Sequence, residues 1–219
     1  MNRTTLAIIA AVAVAVIAGG AWLALRGGGQ PQGVDTVFAS DNPVLAPRPG
    51  DRVLGAADAP LTIIEYASFT CPHCGSFHTR TLPQVETDWI TTGRARFIFR
   101  DFPGDQLALM AAMTARCLPE PQYYPFVALL FREQEAWLSS EDPVAFVSRV
   151  AATAGMDAAS LDGCLADRNL QNDILSHQIA ARDALGVAST PTIFVNGRRV
   201  VGDLSYDDLN RILDDAAGS

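Results

Sequence analysis

The chain has 219 residues, 49% of them apolar, which is enough for one domain with a sizeable core. Its formal net charge is −8, and all 16 basic residues are Arg, with no Lys. An acidic chain without a basic cluster excludes nucleic acid and anionic lipid headgroups as its main partners.

In chain order, Met1-Asn2-Arg3 precede an uncharged run from Thr4 to Leu25, closed by Arg26. That run is long enough to cross a bilayer. Residues 1–26 are therefore expected to be a membrane anchor, with Arg3 kept on the cytoplasmic side. A cleaved signal sequence is the alternative, with Ala18-Gly19-Gly20 as a weak cleavage site, but Trp22-Leu23-Ala24-Leu25 carry the apolar run past it. In both cases the rest of the chain is expected to be exported. Residues 27–50, with Gly27-Gly28-Gly29 and Pro47-Arg48-Pro49-Gly50, read as a flexible linker. A domain at 51–219 comes after it.

Leu61-Thr62-Ile63-Ile64-Glu65-Tyr66-Ala67-Ser68 is apolar and β-rich, as a buried strand requires, and Phe69-Thr70 turn it into a helix beginning at Cys71-Pro72-His73-Cys74. Two thiols at this spacing can close a disulfide and reopen it. At the helix cap, unsatisfied N–H groups and the positive end of the macrodipole favour a Cys71 thiolate. Pro72 suits the first helical position, and His73 adds a second term in favour of the thiolate. Cys74, one turn on, fits a resolving thiol that attacks a mixed disulfide. A zinc site needs further ligands, and Cys117, Cys164, His78 and His177 are scattered singly. Haem attachment needs a His after the second Cys, where Gly75 stands.

A third strand is expected at Ala95–Arg100, followed by helical periodicity over Gln106–Arg116, Tyr123–Trp137, Pro143–Ala154, Ala158–Ala166 and Asn169–Leu185. Downstream, Thr190-Pro191 leads into Thr192-Ile193-Phe194-Val195, joined through Asn196-Gly197 to Arg198-Arg199-Val200-Val201 in a two-residue hairpin. Pro191 is either an ordinary loop stop or a cis-proline beside the thiols. Ser205 with Asp208 opens a last helix over Tyr206–Ala216. His78 and His177 read as surface or packing side chains, and Trp89 and Trp137 as core anchors.

With Glu65-Tyr66-Ala67-Ser68-Phe69-Thr70 before the Cys pair, Arg100-Asp101-Phe102-Pro103, and Thr190-Pro191-Thr192, the chain resembles the thioredoxin-fold family and, within it, the DsbA-like thiol:disulfide oxidoreductases. The resemblance covers about residues 51–217. It implies an α/β thioredoxin-like fold, a central mixed sheet flanked by helices, with an inserted helical subdomain at about 104–185 that caps the site and shapes a substrate groove. It implies Cys71 as the attacking thiol, Cys74 as its buried partner, Pro191 as a cis-proline facing the disulfide, and Glu65 as a partly buried acid that relays a proton to or from Cys74. Thr190, placed before that proline, is expected to donate its hydroxyl to the Cys71 sulfur.

An exported chain with two catalytic Cys is expected to bridge the other two, Cys117 with Cys164, two free buried thiols being the alternative. The implied activity is the introduction of disulfide bonds into reduced exported proteins, without a cofactor or metal beyond the Cys pair. Re-oxidation would come from a membrane quinone-linked partner. The expected location is the periplasmic face of a bacterial inner membrane, anchored by residues 4–25, or the soluble periplasm after signal cleavage. His73 favours this oxidase because it stabilises the reduced thiolate. Thr190 keeps open a disulfide isomerase or reductase of the same fold. A binding module without enzyme activity has no evident use for the Cys pair.

Overall fold

The computed structural model describes residues 34–37 and 42–218. Its strands are β1 Val34–Val37, β2 Val53–Leu54, β3 Leu61–Ala67, β4 Ala95–Asp101, β5 Thr192–Val195 and β6 Arg198–Val201. Among these residues they form one mixed sheet in the order β1-β6-β5-β3-β4-β2. β3 lies inside it, parallel to β4 with Leu61 opposite Ala95, and antiparallel to β5 with Ile63 opposite Val195. A strand covered on both faces needs apolar residues on both, and only Thr62 of β3 is not fully buried. Alternation puts Ile63, Glu65 and Ala67 on one face and Ile64 and Tyr66 on the other. Glu65 is thus the single carboxylate in the buried run of β3.

The hairpin between β5 and β6 turns at Asn196 (φ 45°) and Gly197 (φ 86°), the paired left-handed conformation that a two-residue turn matched to strand twist requires. The Asn196 side chain also accepts from the Thr62 N–H at 2.8 Å, fastening the turn to the start of β3.

Helix α1 runs over residues 72–90 with π-helical turns at Phe77–Thr81 and Glu86–Ile90. Its inner side, including Cys74, Phe77, Leu82, Val85 and Trp89, packs with Phe97 and Phe99 of β4 in the larger core cluster. Each large side chain buried there contributes about 1.5–3 kcal/mol. The helices α2 Gln106–Cys117, α3 Glu120–Arg132, α4 Gln134–Leu138, α5 Pro143–Thr153, α6 Ala158–Ala166 and α7 Arg168–Leu185 lie between β4 and β5. The end of α7 packs on the second face of the sheet, Ala181 and Leu185 against Ile64, Tyr66 and Phe194. Gly186 stops it in the left-handed conformation (φ 65°) that a glycine reaches without steric cost. The last helix, α8 Tyr206–Ala217, returns to α1, where Asn210 accepts from the Trp89 indole at 2.8 Å.

Within the expected linker over 27–50, the described residues 34–37 and 42–50 are folded. β1 pairs with β6, and the stretch from Asn42 is folded, with Leu45 buried among Ile64, Tyr66 and Phe194. Arg100, 0% exposed, donates to the carbonyls of Val44 (2.6 Å) and Ala46 (2.8 Å) and to both carboxylate oxygens of Asp51 (3.1 and 2.7 Å). Backbone carbonyls provide much of this hold, so the Gly- and Pro-rich sequence carried no apolar pattern to reveal it. The expected anchor at 1–26, and residues 27–33 and 38–41, lie outside the described residues. Among the described residues no helix is long and apolar enough to cross a membrane.

The single helix expected at Tyr123–Trp137 is two, starting earlier at Glu120 and breaking at Glu133 (φ −95°, ψ 15°). The indole of Trp137 donates to the Leu130 carbonyl at 2.9 Å, taking the acceptor that an unbroken helix would give to Gln134.

Candidate active site

Cys71 sits at the cap of α1, at the end of the turn leaving β3, with extended backbone (φ −81°, ψ 119°) and Pro72 in the first helical turn. Both cysteines are free thiols; Cys71 is half-buried and Cys74 fully buried. The Cys71 thiol is lowered to about 5, chiefly by the hydrogen bond from the Cys74 thiol. Burial opposes the shift. The Thr190 side chain and the backbone N–H groups of Cys74 and His73 add to it. Cys74 is driven above the ordinary thiol range, first by burial, then by its hydrogen bond to Cys71 and by the charge of Glu65. The pair is therefore divided, with an accessible thiolate and a buried thiol that donates to it.

The Thr190–Pro191 peptide bond is cis, and the Thr190 carbonyl lies 3.3 Å from Cys71 Sγ, within reach of the thiol proton. Pro72 and the ring of His73 are exposed. The backbone N–H of His73 is one of the groups that lower Cys71.

Glu65 is 0% exposed and lies on the face of β3 toward α1, with Oε2 2.7 Å from Nε2 of His78. His78, read from the sequence as a surface or packing residue, is buried and paired with that carboxylate. Its spacing of four from Cys74 was the available signal, since it puts both on one side of a helix. Gln134, which no sequence signal marked, reaches from α4 to donate to the carbonyls of Phe69 (2.8 Å) and Cys71 (3.0 Å). A Cβ at position 75 would meet the Gln134 carboxamide, so a larger residue there requires that side chain to shift. On the other side of the entry turn, Thr70 donates to Asp105 at 2.7 Å, and Asp105 caps α2 through the Ala108 N–H.

Cys117 and Cys164 are joined by a disulfide, with S–S 2.00 Å, tying α2 to α6. Closing a loop of 47 residues is worth about 4 kcal/mol in the chain-entropy model. After mild reduction and alkylation, mass spectrometry should show label on Cys71 and Cys74 while Cys117 and Cys164 stay protected. Equal labelling of all four would contradict a bridge outside the redox cycle. His177 pairs with Asp173 at 3.4 Å on α7. Among the described residues no group of three or more His, Cys, Asp or Glu could hold a metal ion.

A Cys-x-x-Cys pair at the cap of the helix after the central strand, faced by a cis X-Pro bond from the strand across it, defines a DsbA-like protein of the thioredoxin fold. The chain belongs to the Thioredoxin family, whose model matches residues 48–215. The crystal structure of Wolbachia pipientis alpha-DsbA1 is 29% identical, with a TM-score of 0.76 over 81% of this chain and 96% of that one. Disulfide bond formation protein D of Bacillus subtilis is 24% identical over 75% of this chain and 76% of its own length. A Rickettsia bellii relative, provisionally named a protein-disulfide oxidoreductase, is 26% identical over 67% of this chain. This chain spans 57% of that relative's length.

Proposed function

We propose that the chain is an exported protein disulfide oxidoreductase that passes the Cys71–Cys74 disulfide to reduced exported proteins. A substrate thiolate attacks Cys71 Sγ, forming a mixed disulfide and releasing Cys74, which takes up a proton. The second substrate thiolate then attacks the substrate sulfur bonded to Cys71. The substrate disulfide forms, and Cys71 leaves as a thiolate. The observation that carries this reading is the half-buried Cys71 at the cap of α1, with the buried Cys74 thiol one turn on and the cis Thr190–Pro191 bond facing it, a setting that lowers the Cys71 thiol to about 5. A stabilised leaving thiolate makes the reduced chain the favoured product and the disulfide oxidising.

The reading needs no cofactor beyond the cysteine pair, and Glu65, Thr190 and Pro191 support it. A membrane quinone-linked partner would re-oxidise the pair. The location is the periplasmic face of a bacterial inner membrane, anchored through residues 4–25, with a soluble periplasmic form if they are cleaved. The Cys117–Cys164 bond is of the kind that persists in an oxidising compartment.

The test is equilibration with glutathione buffers together with oxidation of a reduced, unfolded protein. A potential near that of DsbA, about −120 mV, with net disulfide formation supports the oxidase, whereas one near thioredoxin, about −270 mV, points to a reductase. Cys74→Ser should hold substrate as a stable mixed disulfide on Cys71, visible on a non-reducing gel. A chain that forms no such adduct does not work through this pair.

A further inference from the structure

Beneath the dithiol, two polar side chains are closed off from water. Glu65 is 0% exposed, the His78 side chain is 3% exposed, and Nε2 of His78 lies 2.7 Å from Oε2 of Glu65. Aromatic rings make up the cage around His78: Phe131 stacks at 4.1 Å, and Phe77, Phe97 and Phe99 meet it edge-on. Packing alone would be met by another Phe, so the carboxylate contact is what a histidine adds there. The other oxygen of Glu65, Oε1, is buried without a hydrogen-bond partner among the described residues. A buried acceptor left open costs about 1–3 kcal/mol, which a native fold tolerates where the group has a further task. The charge of Glu65 acts on Cys74, itself fully buried and one turn before His78 on α1.

We infer that His78 is a positioning residue for the resolving thiol: by holding Oε2 of Glu65 it keeps Oε1 open to accept the Cys74 proton. The inference deepens the oxidoreductase reading and rests on it. The step belongs to re-oxidation, after the Cys71 thiolate has attacked a partner disulfide and released one partner thiolate. The Cys74 S–H bond breaks and an O–H bond forms at Glu65 Oε1. The Cys74 thiolate then bonds to Cys71 Sγ, and the bond from Cys71 to the partner sulfur breaks, its electron pair leaving as a second partner thiolate. Overall, two thiols of the chain are oxidised to a disulfide and one partner disulfide is reduced to two thiols.

Oxidised glutathione serves as the partner disulfide. Two rates are measured by stopped flow on the full chain: alkylation of Cys71, and release of glutathione from the Cys71 adduct by Cys74. His78→Phe keeps the aromatic packing and removes the hydrogen bond. It should slow glutathione release about tenfold or more while Cys71 is alkylated at the wild-type rate. His78→Gln, which retains a donor, should recover most of the lost rate. If release is unchanged, or if both rates fall together and Gln rescues neither, the inference is overturned. If the wild-type chain forms no glutathione adduct at Cys71, the dithiol reading itself fails. Should His78→Phe not fold, the ring nitrogen resonances of His78 in the wild-type chain decide the matter. They should shift between the oxidised and reduced chain, because only the reduced one presents a Cys74 thiol to Glu65, and identical signals in both states would overturn the inference.

Discussion

Alkylation of Cys71 in the reduced chain is expected to rise with pH about a midpoint near 5, because the thiol is lowered to about 5 by the Cys74 hydrogen bond and its neighbours. At pH 7 an ordinary thiol, with pKa about 8.5, is only a few per cent thiolate, whereas Cys71 is almost entirely so. The same shift ties the balance between reduced and oxidised chain to pH, since only the reduced chain has a thiol to titrate. The folded pKa is depressed, so the stabilisation of the reduced form is fully present above the unfolded thiol's pKa. It declines as pH falls and is lost through about 5. Thermal unfolding of both redox forms should therefore favour the reduced chain at pH 7, with the difference shrinking toward pH 5. Thiolate absorbance of the reduced Cys74→Ala variant, which has no donor at that position, reports how much of the shift the Cys74 thiol supplies. Its midpoint should move upward. A wild-type midpoint near 8.5 would remove the chemical basis of the proposed oxidase.

The largest effect on stability is expected at Asp51. Arg100 is 0% exposed, and Asp51, with 3% of its side chain exposed, is its carboxylate partner at 2.7 Å. Asp51→Ala leaves a buried guanidinium with only carbonyls and the Tyr66 hydroxyl. Removing one member of such a pair costs about 3–5 kcal/mol, a large share of a typical 5–15 kcal/mol total. Urea unfolding measures it directly, and a loss below about 1 kcal/mol would mean that the pair behaves as a solvated surface bridge. Burial acts to raise Asp51, but hydrogen bonds and charge from Arg100, with Arg48, hold it below the usual carboxylate range. Its contribution is thus present above the ordinary carboxylate pKa of about 3.9 and lost as pH falls through the lower folded value. Cutting the chain back to residue 51 should be costly too, because Val44 and Ala46 supply carbonyls to the same guanidinium.

The Cys pair, the central strand, the helical stretch between β4 and β5 and the Asn196-Gly197 hairpin were legible because each has a local signature: spacing, an apolar run, a 3.6-residue period or a turn dipeptide. What stayed hidden depends on partners far along the chain. β1 has no apolar run of its own and exists as a strand through β6, more than 160 residues later. β2, two residues long, is too short for any periodicity. Gln134 bonds to carbonyls, and a carbonyl leaves no trace in residue type. His78 could be placed on the Cys74 side of its helix, but only the fold showed that Glu65 of a neighbouring strand meets it there. The break at Glu133 depends on the Trp137 indole finding one carbonyl, which no period encodes.

The contact between Gln134 and Gly75 fixes where α4 stands relative to the sulfur of Cys71. One amide from α4 grips the carbonyls on either side of Thr70, and the bare Cα of Gly75 lets it come that close. The helical layer is thereby indexed to the reactive sulfur at a single inner corner, as a jaw is indexed to its hinge. A larger residue at position 75 would have to displace the Gln134 carboxamide, and with it the two bonds that fasten α4 to the turn carrying Cys71.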